Sequence, residues 1–196
     1  EAIINVNISF GNSKMGKVMN VNLPPIITCN RNAGCTRNGC YAQRYYRRYP
    51  NVRQRYDENL SAYQNNPYLY FRCIHDYIEE YRPALFRWHA GGDIPDQLYW
   101  LGIKLLAIQH PEVKFWVTTK KYDLEFGDIP ENLSLVISTW NDLEIPNKLD
   151  HLPKAWYLDP DHPDPRIPSE AVRCSGMCEE CQRCWYLKGD VYFVKH

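Results

Sequence analysis

The sequence lacks features that would place the protein in a membrane or outside a cell. No apolar run approaches the roughly 20 residues that a spanning helix needs. The first residues do not show the charged, apolar and cleavage regions of a secretory signal peptide. The chain also has no net charge, because 23 basic side chains balance 23 acidic ones. Overall electrostatic attraction therefore does not favour binding to nucleic acid or to a bilayer. We therefore expect a soluble, cytoplasmic protein with no membrane partner.

The length of the chain limits its organisation. At 196 residues it suits one domain of ordinary size with a small appendage, and it is long enough to bury a hydrophobic core. We predict a main domain over residues 1–165 and a cysteine-rich, metal-binding segment over residues 166–196.

The cysteines have an unusual distribution along the sequence. Seven of the eight cysteines fall into two clusters at opposite ends of the sequence, and only Cys73 stands alone. Disulfides are rare in a reducing cytosol, where grouped thiols are more often metal ligands. The clusters therefore predict metal sites rather than disulfides.

The first cluster consists of Cys29, Cys35 and Cys40, in a short loop where Gly34 and Gly39 each precede a cysteine. Glycine there lets the backbone take the positive φ angles that a loop needs to fold round an ion or cluster. Three ligands are one fewer than a structural zinc site requires, whereas an iron–sulfur cluster that binds a substrate leaves one position open. The loop thus predicts an incomplete metal site.

The second cluster lies in the C-terminal tail and consists of Cys174, Cys178, Cys181 and Cys184. The last three of these cysteines are each separated by two residues, a spacing that resembles the cysteine runs that bind four-iron clusters. Structural zinc usually uses two cysteine pairs that are separated by a longer loop, so this compact run favours iron, with zinc as the competing metal.

Cys73 lies on the apolar stripe of a predicted helix that begins at Pro67. Two roles remain open for this thiol, that of a small buried core residue and that of a fourth ligand to the first cluster.

Alternating and buried apolar runs predict an α/β fold. A β-hairpin is expected over residues 3–10 and 18–23, with turn residues at 11–14. Further strands are predicted at residues 84–90, 113–119, 135–140, 154–158 and, as an edge strand, 191–194; a helix is predicted from about residue 95 to 109. Strands that alternate with helices favour a partial (β/α) barrel or an open, mainly parallel sheet. Residues 159–165 read as a proline-rich loop.

Small polar residues and glycines follow several predicted strands. Gly91, Gly92 and Asp93 follow one strand, and Thr118 and Ser138 lie at the ends of two others. Ligands of open α/β sheets and barrels bind at the carboxyl ends of strands, so we expect these residues at one ligand-binding edge.

An arginine- and tyrosine-rich segment runs from Arg44 to Arg55 and has the pattern of two helical parts. Guanidinium groups bind phosphates and aromatic rings stack on bases, so one interpretation is a nucleic-acid contact. The other is an amphipathic surface whose tyrosines pack inward, which the neutral chain as a whole favours.

These motifs together resemble the radical S-adenosylmethionine enzymes, which carry a three-cysteine loop, an aromatic residue beside the last cysteine and a Gly-Gly-acid turn. More narrowly, residues 20–185 resemble the small phage-encoded gene product eighty-eight family, in Cys40-Tyr41-Ala42, Phe86-Arg87-Trp88-His89, Gly92-Asp93, Thr119-Lys120 and the cysteine-rich tail. A phage origin would place the protein in the host cytoplasm.

The resemblance implies a four-iron cluster on Cys29, Cys35 and Cys40 whose free iron binds S-adenosylmethionine, with Gly91, Gly92 and Asp93 as the cofactor turn. Tyr41, Thr118 and Ser138 are expected to line the cofactor site. It also implies a second four-iron cluster in the tail and an electron donor such as a flavodoxin or a ferredoxin. The cysteine spacing, five residues and then four, is longer than is usual for these enzymes, and the acid is Asp rather than Glu.

The resemblance leaves the substrate and the catalytic side chains unassigned. Two other functional classes remain open besides a radical enzyme. One is a non-enzymatic electron-transfer or structural iron–sulfur protein, and the other is a zinc-stabilised module that binds nucleic acid or a host protein.

Overall fold

The computed structural model describes residues 4–13, 15–37, 39–186 and 189–195, and its central feature is a sheet of eight strands. In chain order the strands are β1 (Ile8–Ser9), β2 (Met19–Val21), β3 (Leu85–Trp88), β4 (Lys114–Thr119), β5 (Leu133–Ser138), β6 (Lys154–Leu158), β7 (Val172–Arg173) and β8 (Val191–Val194). Their order across the sheet is β1-β2-β3-β4-β5-β6-β8-β7. The β1–β2 pair is antiparallel and the other pairs are parallel.

The described helices lie in the connections from β2 to β3, from β3 to β4 and from β7 to β8, and short 3₁₀ turns lie between β5 and β6 and between β7 and β8. The helices are α1 (Gly34–Arg37), α2 (Tyr41–Arg48), α3 (Pro50–Asn65), α4 (Pro67–Tyr81), α5 (Gln97–Gln109) and α6 (Cys178–Cys181), with 3₁₀ turns at Asn147–Leu149 and Arg183–Trp185. Asn66 caps α4 by accepting a hydrogen bond from the Leu69 N–H at 3.0 Å, and Asp96 caps α5 in the same way. Among the described residues, none of these helices has the length and apolar character needed to cross a bilayer.

The two faces of the sheet bury separate cores. Successive side chains of a strand point to opposite faces, so Phe115 and Val117 lie on one face of β4 and Trp116 lies on the other. The first face packs against helices and holds the largest buried rings, namely Trp88, Trp100, Tyr70, Tyr99 and Phe86. The second face carries a smaller core of Met15, Val18, Trp116, Val136, Ala155, Trp185 and Val191. The C-terminal tail therefore packs on the sheet through Trp185 and Val191.

The structure confirms the predicted mixed α/β fold, with its mainly parallel sheet and its N-terminal antiparallel pair. The predicted hairpin residues 3 and 14 lie outside the described residues, and the observed strands are shorter than the alternation suggested. β5 also begins and ends two residues earlier than expected. The prediction of an edge strand at residues 191–194 is wrong in position. β8 lies between β6 and β7, because the short strand β7 pairs with its outer side.

Candidate functional site

The carboxyl ends of four neighbouring parallel strands meet at one edge of the sheet. β2, β3, β4 and β5 pair in that order, with consecutive strands in parallel register. The three-cysteine loop leaves the end of β2, and the Gly-Gly-Asp turn leaves the end of β3. The topology thus brings together predicted residues that are far apart in the chain.

Hydrogen bonds attach the three-cysteine loop to the segments that follow β4 and β5. The side-chain amide of Asn30 donates to the Lys120 carbonyl at 2.9 Å. Further along the loop, the Gly34 N–H donates to a carboxylate oxygen of Asp142 at 3.0 Å. The loop is therefore held over the carboxyl ends of the strands.

The third cysteine lies at the start of a helix. The Cys40 sulfur accepts a hydrogen bond from the Gln43 N–H at 3.4 Å and so caps α2. Beside it, the Tyr41 hydroxyl donates to the Ala90 carbonyl at 2.7 Å. The predicted cofactor-site residue Tyr41 thus joins the cysteine loop to the turn after β3.

The thiols of the three-cysteine loop lie near two charged groups, the Asp93 carboxylate and the Lys120 ammonium group. Cys29 and Cys35 each interact with Cys40, Asp93 and Lys120. Burial, together with the nearby Asp93 charge, raises the pKa of the Cys29 thiol to about 12. Burial also raises the pKa of Cys35, while the Lys120 charge opposes that shift. Both thiols are therefore protonated at neutral pH until a cation replaces the proton.

The sulfurs are not drawn together into the ligand shell of a single ion. All eight cysteines are described and free, and no three of them place their sulfurs within 4.8 Å of one another. Tetrahedral zinc, with Zn–S bonds of about 2.3 Å, would hold its sulfurs about 3.8 Å apart. A four-iron cluster separates its thiolates more widely, because each binds a different iron. Three thiol donors match in number the ligands of a four-iron cluster with one open iron and are one fewer than a structural zinc site needs.

Two glycines let the backbone after β3 pass close to its neighbours. Gly92 has a φ of 83°, and a Cβ atom there would lie 2.4 Å from the Leu23 carbonyl oxygen. A Cβ atom at Gly91 would lie 2.8 Å from a ring carbon of Tyr56. The Leu23 N–H also donates to the Gly91 carbonyl at 3.1 Å, which joins this turn to the start of the cysteine loop.

Asp93 is buried, and donors already engage both of its carboxylate oxygens. Oδ1 accepts from the Thr119 hydroxyl at 2.6 Å and from the Ile94 N–H at 2.7 Å, and Oδ2 accepts from the Lys120 N–H at 2.9 Å. Burial raises the pKa of Asp93, and these hydrogen bonds oppose the shift. The carboxylate therefore fixes the turn after β3 to the end of β4.

The ends of β4 and β5 carry polar groups that face the same region. Lys120 Nζ donates to the Ser138 hydroxyl at 2.7 Å. The buried Thr118 hydroxyl has no hydrogen-bond partner among the described residues. Ser138 and Thr118 were both predicted to lie at this edge. Ser138 is hydrogen-bonded to Lys120, which lies near the Cys29 and Cys35 thiols, and within the described part of the chain the Thr118 hydroxyl is free to donate or accept a hydrogen bond.

An aromatic pair beside Lys120 was missing from the predicted site. The rings of Trp140 and Tyr157 stack at 3.9 Å between centroids, and Lys120 Nζ lies 5.8 Å from the Trp140 ring. The available signal was an aromatic residue two positions after Ser138, on the edge where ligands were expected. Pattern analysis assigned both rings only to strands.

The four tail cysteines line one surface pocket, together with residues that include Arg173, Met177 and Gln182. Burial, together with the other three tail thiols, raises the pKa of Cys184 to about 12, and Arg87 opposes this shift. As in the first loop, no three of these sulfurs lie within 4.8 Å of one another.

The pocket is anchored to the second face of the sheet by Trp185. Its indole N–H donates to the Phe86 carbonyl at 2.9 Å, and its ring packs edge-on against Trp116 at 5.1 Å. Arg87 lies over Trp116 at 4.3 Å. Strand β3 thus connects the two regions, because it contains Arg87 and the Gly-Gly-Asp turn follows it.

Cys73 and His89 occupy structural positions. The Cys73 sulfur packs against the first core and contacts the Ile4 carbonyl at 3.5 Å, and it is not among the groups that interact with Cys29 or Cys35. His89 is buried, its φ is 59°, and neither ring nitrogen has a hydrogen-bond partner among the described residues.

The fold and this edge define an α/β protein with a cysteine loop and a Gly-Gly-Asp turn side by side at the carboxyl ends of parallel strands. The Gene product 88 family model matches residues 6–187, and the chain therefore belongs to that family. The match supports the resemblance to a phage protein. No curated protein and no solved structure matches the chain.

Proposed function

We propose that the protein is a minimal radical S-adenosylmethionine-type enzyme that binds a four-iron cluster through Cys29, Cys35 and Cys40. The observation that carries the proposal is the meeting of this three-thiol loop with the Gly-Gly-Asp turn at the carboxyl ends of parallel strands. Three thiolates leave one iron free for a ligand that brings an amino and a carboxylate group.

The order of the strands supports a partial barrel. Six parallel strands follow one another across the sheet in the order in which they occur in the chain, namely β2, β3, β4, β5, β6 and β8. Only the short β7 departs from this order, because it lies outside β8. A doubly wound sheet instead reverses its order at a switch point near the middle. Strands that follow one another in a single direction, with helices on one face, are the arrangement from which (β/α) barrels are built.

When bound, the cluster and S-adenosylmethionine would supply one-electron reduction of a sulfonium and removal of a hydrogen atom from a substrate, with the electron coming from a flavodoxin or a ferredoxin. The chain's own residues position and shield these groups. Gly91 and Gly92 let the turn pack closely against Tyr56 and Leu23, which holds it beside the cysteine loop. The Trp140–Tyr157 pair forms an apolar wall, and Lys120 and Ser138 offer polar contacts beside it.

Asp93 has a positioning role in this proposal. Its carboxylate already accepts three hydrogen bonds, so it holds the turn after β3 in place. Its negative charge would lie near the amino group of bound S-adenosylmethionine. The tail cysteines would hold a second four-iron cluster that relays electrons or anchors substrate. Zinc remains the competing metal for that site.

Metal analysis of variants tests the assignment of the first cluster. Cys35→Ala should lose about half of the iron and sulfide of anaerobically purified wild type, because one of two four-iron clusters is removed. Cys73→Ala is the matched control and should keep both clusters. Loss of iron in Cys73→Ala would instead favour a closed, four-thiolate cluster in a non-enzymatic electron-transfer or structural protein, and zinc without iron would favour a zinc-stabilised module.

The second candidate function is a nucleic-acid contact on α2, favoured by the exposed aromatic and basic side chains of that helix. Tyr45 and Tyr49 stack at 5.8 Å, and Arg48 lies 5.5 Å from the Tyr49 ring. Replacing Arg47 and Arg48 by alanine should weaken salt-dependent binding of an oligonucleotide. Unchanged binding, or none in the wild type, would remove this candidate.

A further inference from the structure

A cluster of two histidines and two glutamates lies where α4 meets the end of α5. His75 and Glu79 are one helical turn apart on α4 and therefore share a face. His110 caps the end of α5, and Glu112 follows two residues later. None of these residues is a cysteine or belongs to the edge described above.

The donor atoms of this cluster are close enough to share an ion. In the described part of the chain, His75, Glu79 and His110 are the one group of three metal-ligating side chains whose donor atoms all lie within 4.8 Å of one another. His110 Nε2 and His75 Nδ1 are 2.8 Å apart and share a hydrogen bond. Glu79 Oε1 and Glu112 Oε1 each lie 3.4 Å from His110 Nδ1.

The distances to the carboxylates have a simple interpretation. Hydrogen bonds between nitrogen and oxygen cluster at about 2.9–3.0 Å, so 3.4 Å is long for one. Two ligands that are each about 2.0–2.1 Å from a tetrahedral zinc ion lie about 3.4 Å apart, so the carboxylates could share an ion with His110 Nδ1. His75 meets the other ring nitrogen, Nε2, and it must exchange that hydrogen bond for the ion. Two carboxylates that face one imidazole nitrogen also concentrate negative charge, which a divalent cation would neutralise.

The backbone fixes the buried histidine in place. His110 is 1% exposed, and its carbonyl accepts hydrogen bonds from the Asn132 amide at 2.9 Å and from the Val113 N–H at 3.1 Å. Glu79 and Glu112 are exposed over more than half of their side chains, so they can turn toward an ion without moving the core. A rigid imidazole with adjustable carboxylates favours metal binding.

We propose that His75, Glu79 and His110 form a binding site for a zinc-like divalent transition-metal ion, with Glu112 as the supporting carboxylate. Imidazole and carboxylate donors suit zinc, whereas the softer thiolates of the two cysteine clusters suit iron–sulfur chemistry as well. An ion at this position joins α4 to the connection between α5 and β4. This site is independent of the proposed enzyme activity.

The test must distinguish this site from the cysteines, which also bind zinc. Protein labelled with ¹⁵N in its histidines is titrated with zinc, and the ring nitrogens are followed by NMR, since thiolate binding leaves those signals in place. His75 and His110, assigned from the spectra of His75→Gln and His110→Gln, are expected to shift to metal-bound values together. The other histidine rings of the chain should remain unchanged.

Glu79→Gln keeps the shape of the side chain and removes its charge, so it should weaken zinc binding at the two histidines by about tenfold or more. Glu80→Gln, the neighbouring exposed position on α4, should bind as the wild type does. Histidine signals that do not respond to zinc in folded wild-type protein would overturn the proposal. Equal affinities of Glu79→Gln and Glu80→Gln would also overturn it.

Discussion

Acid should destabilise the protein through His89, the buried histidine at the end of β3. Its side chain is 4% exposed, and neither ring nitrogen has a hydrogen-bond partner among the described residues. Burial, with a smaller contribution from the positive charge of Arg87, lowers the pKa of His89 to about 3. The folded protein therefore holds a neutral imidazole above about pH 3.

The size of the effect follows from the pKa of the unfolded state. An imidazole in an unfolded chain has a pKa of about 6.5, so between about pH 6.5 and pH 3 the unfolded chain binds a proton that the folded chain does not. The free energy of unfolding is therefore highest above this range and falls as the pH falls. Each pH unit within the range removes about 1.4 kcal/mol, and a change from about pH 7 to about pH 5 removes about 2 kcal/mol.

Urea unfolding of the wild type and His89→Asn at these two pH values measures this contribution. Asparagine tolerates the positive φ of 59° at this position better than most residues do, and it does not titrate. We expect the wild type to lose about 2 kcal/mol more than the variant on acidification, because other titrating groups contribute equally to both. Equal losses in the two proteins would refute the view that His89 is buried in its neutral form.

Three substitutions test the packing that positions the site, each by urea unfolding. Gly92→Ala should lower the free energy of unfolding by about 2 kcal/mol or more, because it adds a Cβ atom 2.4 Å from the Leu23 carbonyl oxygen at a positive φ. Asp93→Asn should lower it by about 2 kcal/mol, because an amide cannot accept all three hydrogen bonds that the carboxylate accepts. Trp185→Phe should lower it by about 1 kcal/mol, because it leaves the Phe86 carbonyl without its indole donor.

Matched controls accompany these variants. Gly189→Ala places its Cβ atom in open space and should leave stability within about 0.5 kcal/mol of the wild type. If Gly92→Ala is no less stable than Gly189→Ala, the backbone after β3 is not as close to Leu23 as the structure shows. A wild-type stability of Asp93→Asn would likewise contradict the hydrogen bonds assigned to that carboxylate.

Local patterns were sufficient to predict the central strands and the polar residues at their carboxyl ends. Alternating and buried apolar runs located β3, β4 and β6 to within a residue or two, and the parallel register then placed the Gly-Gly-Asp turn beside the cysteine loop. Parallel strands align their carboxyl ends wherever they occur, so this part of the argument needs no knowledge of side-chain contacts.

Contacts between distant residues could not be read from the sequence. The stack of Trp140 on Tyr157 depends on the pairing of β5 with β6, and the contact of His75 with His110 depends on how α4 packs beside α5. The inner position of β8 depends on β7, whose two residues are too few to show a strand pattern. Such features follow from tertiary packing rather than from local periodicity.

The most direct test of the proposed function is electron paramagnetic resonance of the reduced, anaerobically purified protein with and without S-adenosylmethionine. The proposal predicts about eight irons per chain and a cluster signal that changes when the cofactor is added, because one iron of the first cluster is open. In Cys35→Ala the cofactor-dependent change should disappear while the signal of the tail cluster remains. Iron signals that S-adenosylmethionine leaves unchanged in the wild type, or zinc in place of iron, would contradict the proposal.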